Sequence, residues 1–369
     1  MDGREVWVEL DESALRHNMR TLRRRVGSDV KIYVCIKMDA YGFGAGWVAH
    51  VAAQEGMDGL ACCDASDAQR VRAAGVDLPV LLYPGTSSSA LQGLAQRGFI
   101  VTAHDGSSLA ACLLSHRRFY LKLDCGFGRL GFPALYPDDI LAQIGDPRSC
   151  RLLGAYSHFF DQLDPVAVEA QCRRFQHCVD FLQAHFDRPL ERNVGASRVL
   201  LTDLCWSLNA VNPGGLLYGL YENLAGDPLR PVLTAAKARI IAIRHMPGGS
   251  LVGYSGARYA GDRVIAIAPA GYSDGLPQSR QDAHALVRGQ RVAILCPRHA
   301  EYTMLDVTPL PDVCTGDEVV FVGRQGTQSL SLEQVAACSE ISSTDLLQRL
   351  ARHPNRRVSS ASSHPTLEP

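Results

Sequence analysis

The chain has 369 residues, enough for a large core and more than one domain. Apolar residues make up 46% and charged residues 20%, and a net charge of −1 with both signs interspersed argues against nucleic acid as a partner. The 12 cysteines lack CxxC and CxxC…HxxxH spacings, which points away from a metal site and towards a reducing, cytoplasmic compartment, while the absence of an apolar signal core or a run of ~18 apolar residues argues against a membrane.

Strand-like apolar runs alternate with helical patterns through the first two-thirds of the chain. Asp11 can cap a helix in which Leu15, Met19, Leu22 and Val26 recur at helical spacing. KIYVCIK (31–37) is continuous and β-branched, as in a strand buried on both faces. A helix with Trp47, Val48, Val51 and Ala52 on its apolar stripe follows. Then come GLACC, the helical ASDAQRVRAAG, LPVLLYPG, GFIVTAH, RFYLKLD, RLLGAYSHF, LERNVGAS and WSLNAVNPGG. About eight strands with helical connections predict an α/β fold, a (β/α)8 TIM-type barrel over 1–230, with the first strand able to join the following domain. An open doubly wound sheet would want GxGxxG after its first strand, a spacing that GFGAG lacks. From about 231 to 352, short strands separated by glycine and proline turns predict an antiparallel β domain. The polar, serine- and proline-rich 353–369 predicts a disordered tail.

In such a barrel the strand C-termini supply the chemistry. Lys37 closes the first long strand, where partial burial favours an amine able to form a Schiff base with an aldehyde cofactor and then to act as a base. LKLDCGFGRLGF (121–132) adds Lys122 and Arg129, GAYSHFF adds His158, NVGAS adds Ser197, and NPGGLLYG adds Gly214 and Gly215. A hydroxyl and backbone N–H groups on two late loops are where barrels bind phosphate. One amine, one phosphate cradle and one arginine together suggest pyridoxal 5'-phosphate.

IKMDAYGFG, LKLDCGFGRLGF, GAYSHF, NPGGLLYGLY, VGYSGARY and PAGYSDGLP, in this order and spacing, resemble the alanine racemase family of fold-type III pyridoxal-phosphate enzymes. The resemblance runs from WVELDESALRHN to about Leu347. It implies a homodimer with shared active sites and a small amino-acid substrate. Lys37 would hold the cofactor and take the α-proton on one face. Tyr254, from the other subunit, would be the opposite base, with His158 beside it. Tyr41, Ser197, Gly214 and Gly215 would bind the phosphate. Arg129 would meet the cofactor's phenolic oxygen and the substrate carboxylate, oriented by Lys122, which is often carbamylated in the family. Tyr272 would help line the substrate's way in.

The sequence departs from the family pattern at four places. The arginine that usually faces the pyridine nitrogen is Asn212 here. That exchange removes a full charge worth ~4 kcal/mol at ~4 Å and intermediate dielectric, and makes the ring a better electron sink. The usual Met-Asp pair reads Ala300-Glu301, which opens space over the substrate. A phosphate-touching tyrosine aligns with Ser343, and the usual AYGHG reads AYGFG with Phe43. The expected activity is therefore a two-base Lys/Tyr amino-acid racemase whose substrate need not be alanine. The alternatives are a related lyase or transferase diverting the same α-carbanion, and a non-catalytic pyridoxal-phosphate-binding homologue.

Overall fold

The computed structural model describes residues 3–160, 162, 164–202, 209–254, 256–278, 282–295 and 297–360. Two compact units emerge. One comprises residues 15–40 and 44–230, the other residues 1–14, 41–43 and 231–369.

The strand β1 (Val6–Asp11) belongs to the second of these units. The first holds a ring of parallel strands: β2 (Lys31–Cys35), β3 (Gly59–Cys62), β4 (Val80–Leu82), β5 (Val101–Ala103), β6 (Phe119–Asp124), β7 (Leu152–Tyr156), β8 (Glu191–Gly195) and β9 (Ala210–Val211). Hydrogen bonds join them in the order β4-β3-β2-β9-β8-β7-β6-β5. The ends of that series meet where Leu82 N donates to Ile100 O at 2.7 Å and Ile100 N donates to Val80 O at 2.9 Å, which closes the barrel. Helices alternate with these strands, and Asp64, Asp105 and Asp164 cap three of them, each accepting a backbone N–H of the first turn.

Tyr33, Ala61, Leu81, Ile100, Tyr120, Tyr156 and Ala210 pack together although they come from seven separate chain segments. Only the inside of a closed ring brings those segments to one point. The period-two alternation of strands then carries the inward face along each of them. It runs from Tyr33 through Cys35 to Lys37, from Leu81 to Tyr83, from Tyr120 to Lys122, and from Tyr156 to His158. Likewise it runs from Glu191 to Asn193 and from Ala210 to Asn212, while Gly195 and Ser197 follow a register shift between β8 and β9.

The strand N-termini close on a buried carboxylate. Glu191 takes hydrogen bonds from Tyr33 Oη at 3.1 Å, from Tyr120 Oη, and from Lys31 Nζ at 2.5 Å. Burial, together with the Glu191 charge, raises the Tyr33 phenol well above its ordinary range, so the tyrosine remains a donor. Glu191→Ala should therefore take the carboxylate acceptor from two interior hydroxyls, which keep only the Tyr120-to-Tyr33 bond at 3.3 Å between them, and lower stability by about 3 kcal/mol. An unchanged urea midpoint for the barrel's unfolding would contradict this arrangement.

In the other unit a sheet runs through β10 (Leu233–Arg239), β11 (Ala242–Met246), β12 (Arg263–Ala268), β13 (His284–Val287), β14 (Gln290–Leu295), β15 (Thr303–Asp306), β16 (Glu318–Gln325) and β17 (Arg356–Ser359). The order is β11-β12-β15-β14-β13-β16-β10-β1-β17, antiparallel except for the β1–β17 pair. Thus β1 joins the β unit because its edges are filled by β10 and β17. The stretch 353–369, expected to be disordered, contains β17, which the free edge of β1 orders by backbone pairing; residues 361–369 lie outside the described ones. No helix among the described residues is long and apolar enough to cross a membrane.

Candidate active site

Lys37 stands half-buried two residues past the end of β2. The chain then makes an unusual turn. Met38, Asp39, Ala40 and Tyr41 all have left-handed backbones, with φ of 59°, 57°, 54° and 57°. For L-residues this costs about 1–2 kcal/mol each. Four backbone contacts hold it: Ala40 N to Ile36 O at 2.8 Å, Gly44 N to Asp39 O at 2.9 Å, Ala45 N to Asp39 Oδ1 at 2.8 Å, and Asp39 N to Asp67 Oδ1 at 3.1 Å. Asp67 is itself braced by Arg70 at 2.7 Å. Asp39 is the hub of this turn, and Asp67 is its support.

The loop after β6 folds by a different device. The Asp124 carboxylate accepts the N–H groups of Gly126, Phe127 and Gly128. Gly131 has φ +121° and lies where a Cβ would come within 2.8 Å of Lys122 O, so only glycine fits. The loop stacks Arg129 over the Phe127 ring at 4.5 Å, and Phe127 against His158 at 5.7 Å.

Burial, with Arg129 adding to it, pulls the Lys122 amine down to about 8. Burial again, then the charges of Lys122, Arg129 and Lys37, pushes His158 down to about 4, so its ring is neutral at pH 7. The shared electrostatics place these four residues around one region of the barrel unit.

Ser197 Oγ accepts Gly214 N–H at 2.9 Å and Leu216 N–H at 3.2 Å, which ties the loop after β8 to the loop after β9 and leaves the hydroxyl proton to donate. Tyr218 Oη reaches Cys35 O at 2.9 Å, and Cys35 N reaches Pro213 O at 3.0 Å, locking the NPGGLLYG turn to β2. Asn212 Nδ2 donates to Tyr83 Oη at 2.6 Å, whereas its Oδ1 is buried and has no partner among the described residues. Asn193, fully buried on β8, has neither side-chain atom paired among the described residues.

The barrel unit thus brings together Lys37, Lys122, Arg129, His158, Ser197, Asn212, Gly214 and Gly215. Tyr41, Tyr254, Tyr272 and Ala300 belong to the other unit. There, Gly42 (φ +90°) sits where a Cβ would meet Gln348 O at 2.8 Å, and Phe43 O accepts Arg356 Nη1 at 2.8 Å. Tyr254 is 78% exposed and its ring lies 4.4 Å from that of His299. Tyr272 N donates to His299 O at 3.2 Å, and Ser273 N to Ala300 O at 2.9 Å, so these residues gather around one turn. Asp274 stiffens it: Arg4 grips its carboxylate at 2.8 and 3.0 Å. Ser343 opens a helix capped by Ser342, and Arg239 lies in β10, stacked over Trp7.

The alanine racemase N-terminal domain profile matches residues 10–222, and the C-terminal domain profile matches residues 233–358. The chain belongs to the alanine racemase family. It is 30% identical to the alanine racemase of Citrifermentans bemidjiense, over 97% of this chain and 99% of that protein. It is 32% identical to that of Sorangium cellulosum, over 95% and 97%. The crystal structure of the biosynthetic alanine racemase from Pseudomonas aeruginosa superposes with a TM-score of 0.82 at 26% identity, covering 97% and 100%. A histidine racemase from Leuconostoc mesenteroides shares the fold with a TM-score of 0.84 at 22% identity, covering 98% and 99%. Membership makes the chain an amino-acid racemase, with the substrate left open.

Sequence reasoning missed Tyr83, Asn193 and Asp67. Tyr83 and Asn193 carry one signal it could have used, a polar side chain at an inward position of a barrel strand.

In the coenzyme-free protein the His158 imidazole should titrate near 4 by NMR. Lys122→Met should move the midpoint up towards the ordinary 6.5. The unfolded chain binds a proton there that the folded one refuses, so this histidine takes stability away as pH falls from about 6.5 towards 4. A midpoint near 6.5 in the wild type would refute the assignment.

Proposed function

We propose that the barrel unit binds pyridoxal 5'-phosphate on Lys37 and that the protein interconverts the two hands of an amino acid. The observation that carries this reading is the convergence, at one end of the barrel, of an amine on a rigid turn, a hydroxyl-and-amide cradle at Ser197 and Gly214, and a buried unpaired acceptor on Asn212. An aldehyde, a phosphate and a ring nitrogen are the three groups of that coenzyme which such an arrangement would meet. Bound there, the coenzyme would draw electrons from the substrate's α-carbon and make its hydrogen acidic.

Lys37 then moves the α-proton on one face, and Tyr254 of a second copy moves it on the other. Lysine and tyrosine ionise in a similar range in water, near ~10, so either can give or take the proton. His158, neutral at pH 7, offers a ring nitrogen that can accept a hydrogen bond from the Tyr254 phenol and so tune it. Arg129 holds the substrate carboxylate. The Lys122 amine, drawn down to about 8, is partly neutral at neutral pH, the form that adds carbon dioxide to give an anion beside Arg129. Tyr41 adds a phosphate contact. Tyr272 and Ala300 shape the approach, and the small Ala300 admits side chains larger than that of alanine.

Tyr254, Tyr272 and Tyr302 are 78%, 49% and 43% exposed around one turn, a large aromatic surface that supports a homodimer covering it. The ten described cysteines are all free thiols, which supports a reducing, cytoplasmic setting. A lyase or transferase reading is favoured by one observation, Asn212 in place of an arginine.

Lys37→Ala should abolish the visible absorbance of the coenzyme-loaded protein. In deuterated water, mass spectrometry across the common amino acids should show solvent deuterium entering the α-position of a substrate from both enantiomers. Tyr254→Phe should slow that uptake roughly 10²–10⁴-fold for the L-form alone. Equal loss for both hands would remove Tyr254 from the two-base scheme.

A further inference from the structure

We propose that Tyr83 is a positioning residue: it fixes the Asn212 amide so that only the amide oxygen faces the coenzyme, and the pyridine nitrogen is consequently held in its protonated form. This inference rests on the coenzyme reading above and deepens it.

The amide has two chemically different ends, and the structure commits one of them. Asn212 Nδ2 donates to Tyr83 Oη at 2.6 Å. Asn212 Oδ1 is buried and unpaired. A buried carbonyl oxygen without a donor is costly, so this atom requires an N–H or O–H from whatever occupies the site. Both sides of the Asn212–Tyr83 bond are held. The asparagine backbone is fixed by its N–H to Gly195 O at 3.0 Å, and Pro213, which follows it, is tied to Cys35 N at 3.0 Å. The Tyr83 ring packs on Tyr156 at 5.3 Å, and Tyr156 Oη is anchored on Thr102 at 3.3 Å. Burial keeps the Tyr83 phenol protonated, so its oxygen stays an acceptor for the amide rather than becoming a charge.

The position agrees with the coenzyme's connectivity. On the pyridine ring the nitrogen lies opposite the carbon that bears the aldehyde, and on the side that carries the phosphate arm one carbon separates it from the arm's carbon. A residue meeting the nitrogen must lie close to the phosphate cradle and across from Lys37. Asn212 is two residues before Gly214, whose N–H is part of that cradle. An oxygen acceptor there pairs with a ring N–H, which exists only on the protonated ring; a neutral ring would set two lone pairs against each other. An arginine at the same place would oppose the proton with a full charge, about 10³-fold in proton affinity at ~4 Å and intermediate dielectric. The protonated ring is the stronger electron sink, so the α-carbanion persists longer, and exchange with solvent would outpace inversion.

The test uses full-length protein loaded with coenzyme labelled with ¹⁵N in the ring, read by the nitrogen chemical shift at pH 7 to 8. The wild type should show a pyridinium resonance, and Asn212→Arg a neutral pyridine resonance. Tyr83→Phe frees the amide to turn its N–H groups inward, and should lower the ring's proton affinity at least about tenfold. Tyr83→Phe combined with Asn212→Asp should restore the pyridinium signal, because a carboxylate offers only acceptors and needs no orientation. A neutral ring in the wild type overturns the inference while leaving the coenzyme reading standing. A Tyr83→Phe protein with unchanged shift and titration overturns the role of Tyr83. A protein that takes up no labelled coenzyme overturns both this inference and the reading beneath it.

Discussion

Two hydrogen bonds between Val80–Leu82 and Ile100 turn an open sheet into a ring, and the chemistry at the strand ends depends on that closure. Once the strands are parallel and closed, every inward position two residues further along is delivered to the same mouth. Lys37, Tyr83, Lys122, His158, Ser197 and Asn212 lie on or just past the C-terminal ends of six different strands. Each is ordinary in its local sequence. Their meeting is a property of closure and of the two-residue period.

The interior that results is polar at both ends and aromatic between. Glu191 collects Tyr33, Tyr120 and Lys31 at one end. Tyr33 packs edge-on to Tyr120, Tyr120 packs on Tyr156 at 6.2 Å, and Tyr156 on Tyr83 at 5.3 Å, so a column of rings leads from the carboxylate to Asn212. The hydroxyls of these rings meet Glu191 at one end and the Asn212 amide N–H at the other. At the mouth, cations dominate. That surplus favours anions such as phosphate and carboxylate, and it adds to the burial that keeps His158 neutral.

Much of this was legible in the sequence. The βα rhythm, the β-rich second half and the strand-end residues followed from periodicity and from the place barrels keep their chemistry. The order and spacing of six short motifs carried the family. What escaped were long-range partners. Nothing local tells that Asp39 will organise a mirror-handed turn, because its stabilising contacts reach Ala45 and Asp67. LPVLLYPG reads as a buried strand with a turn, and only closure shows that its tyrosine meets an asparagine 129 positions away. The strand at Arg356–Ser359 was hidden by a polar composition that β1 overrides with a free edge. Tyr254 and Asn212 were singled out because their motifs are distinctive, yet the amide's orientation needed three dimensions.

The division of the chain has an evolutionary corollary. Residues 1–14 and 41–43 cluster with 231–369, so the polypeptide passes from one unit to the other at four points. Neither unit is a contiguous cassette, and no single cut releases one intact. A truncation near residue 230 would strip β1 of β10 and β17 together, and a swap of the barrel alone would carry a foreign three-residue splice into the β unit. An exchange of either unit between relatives therefore has to make every one of its splices at once.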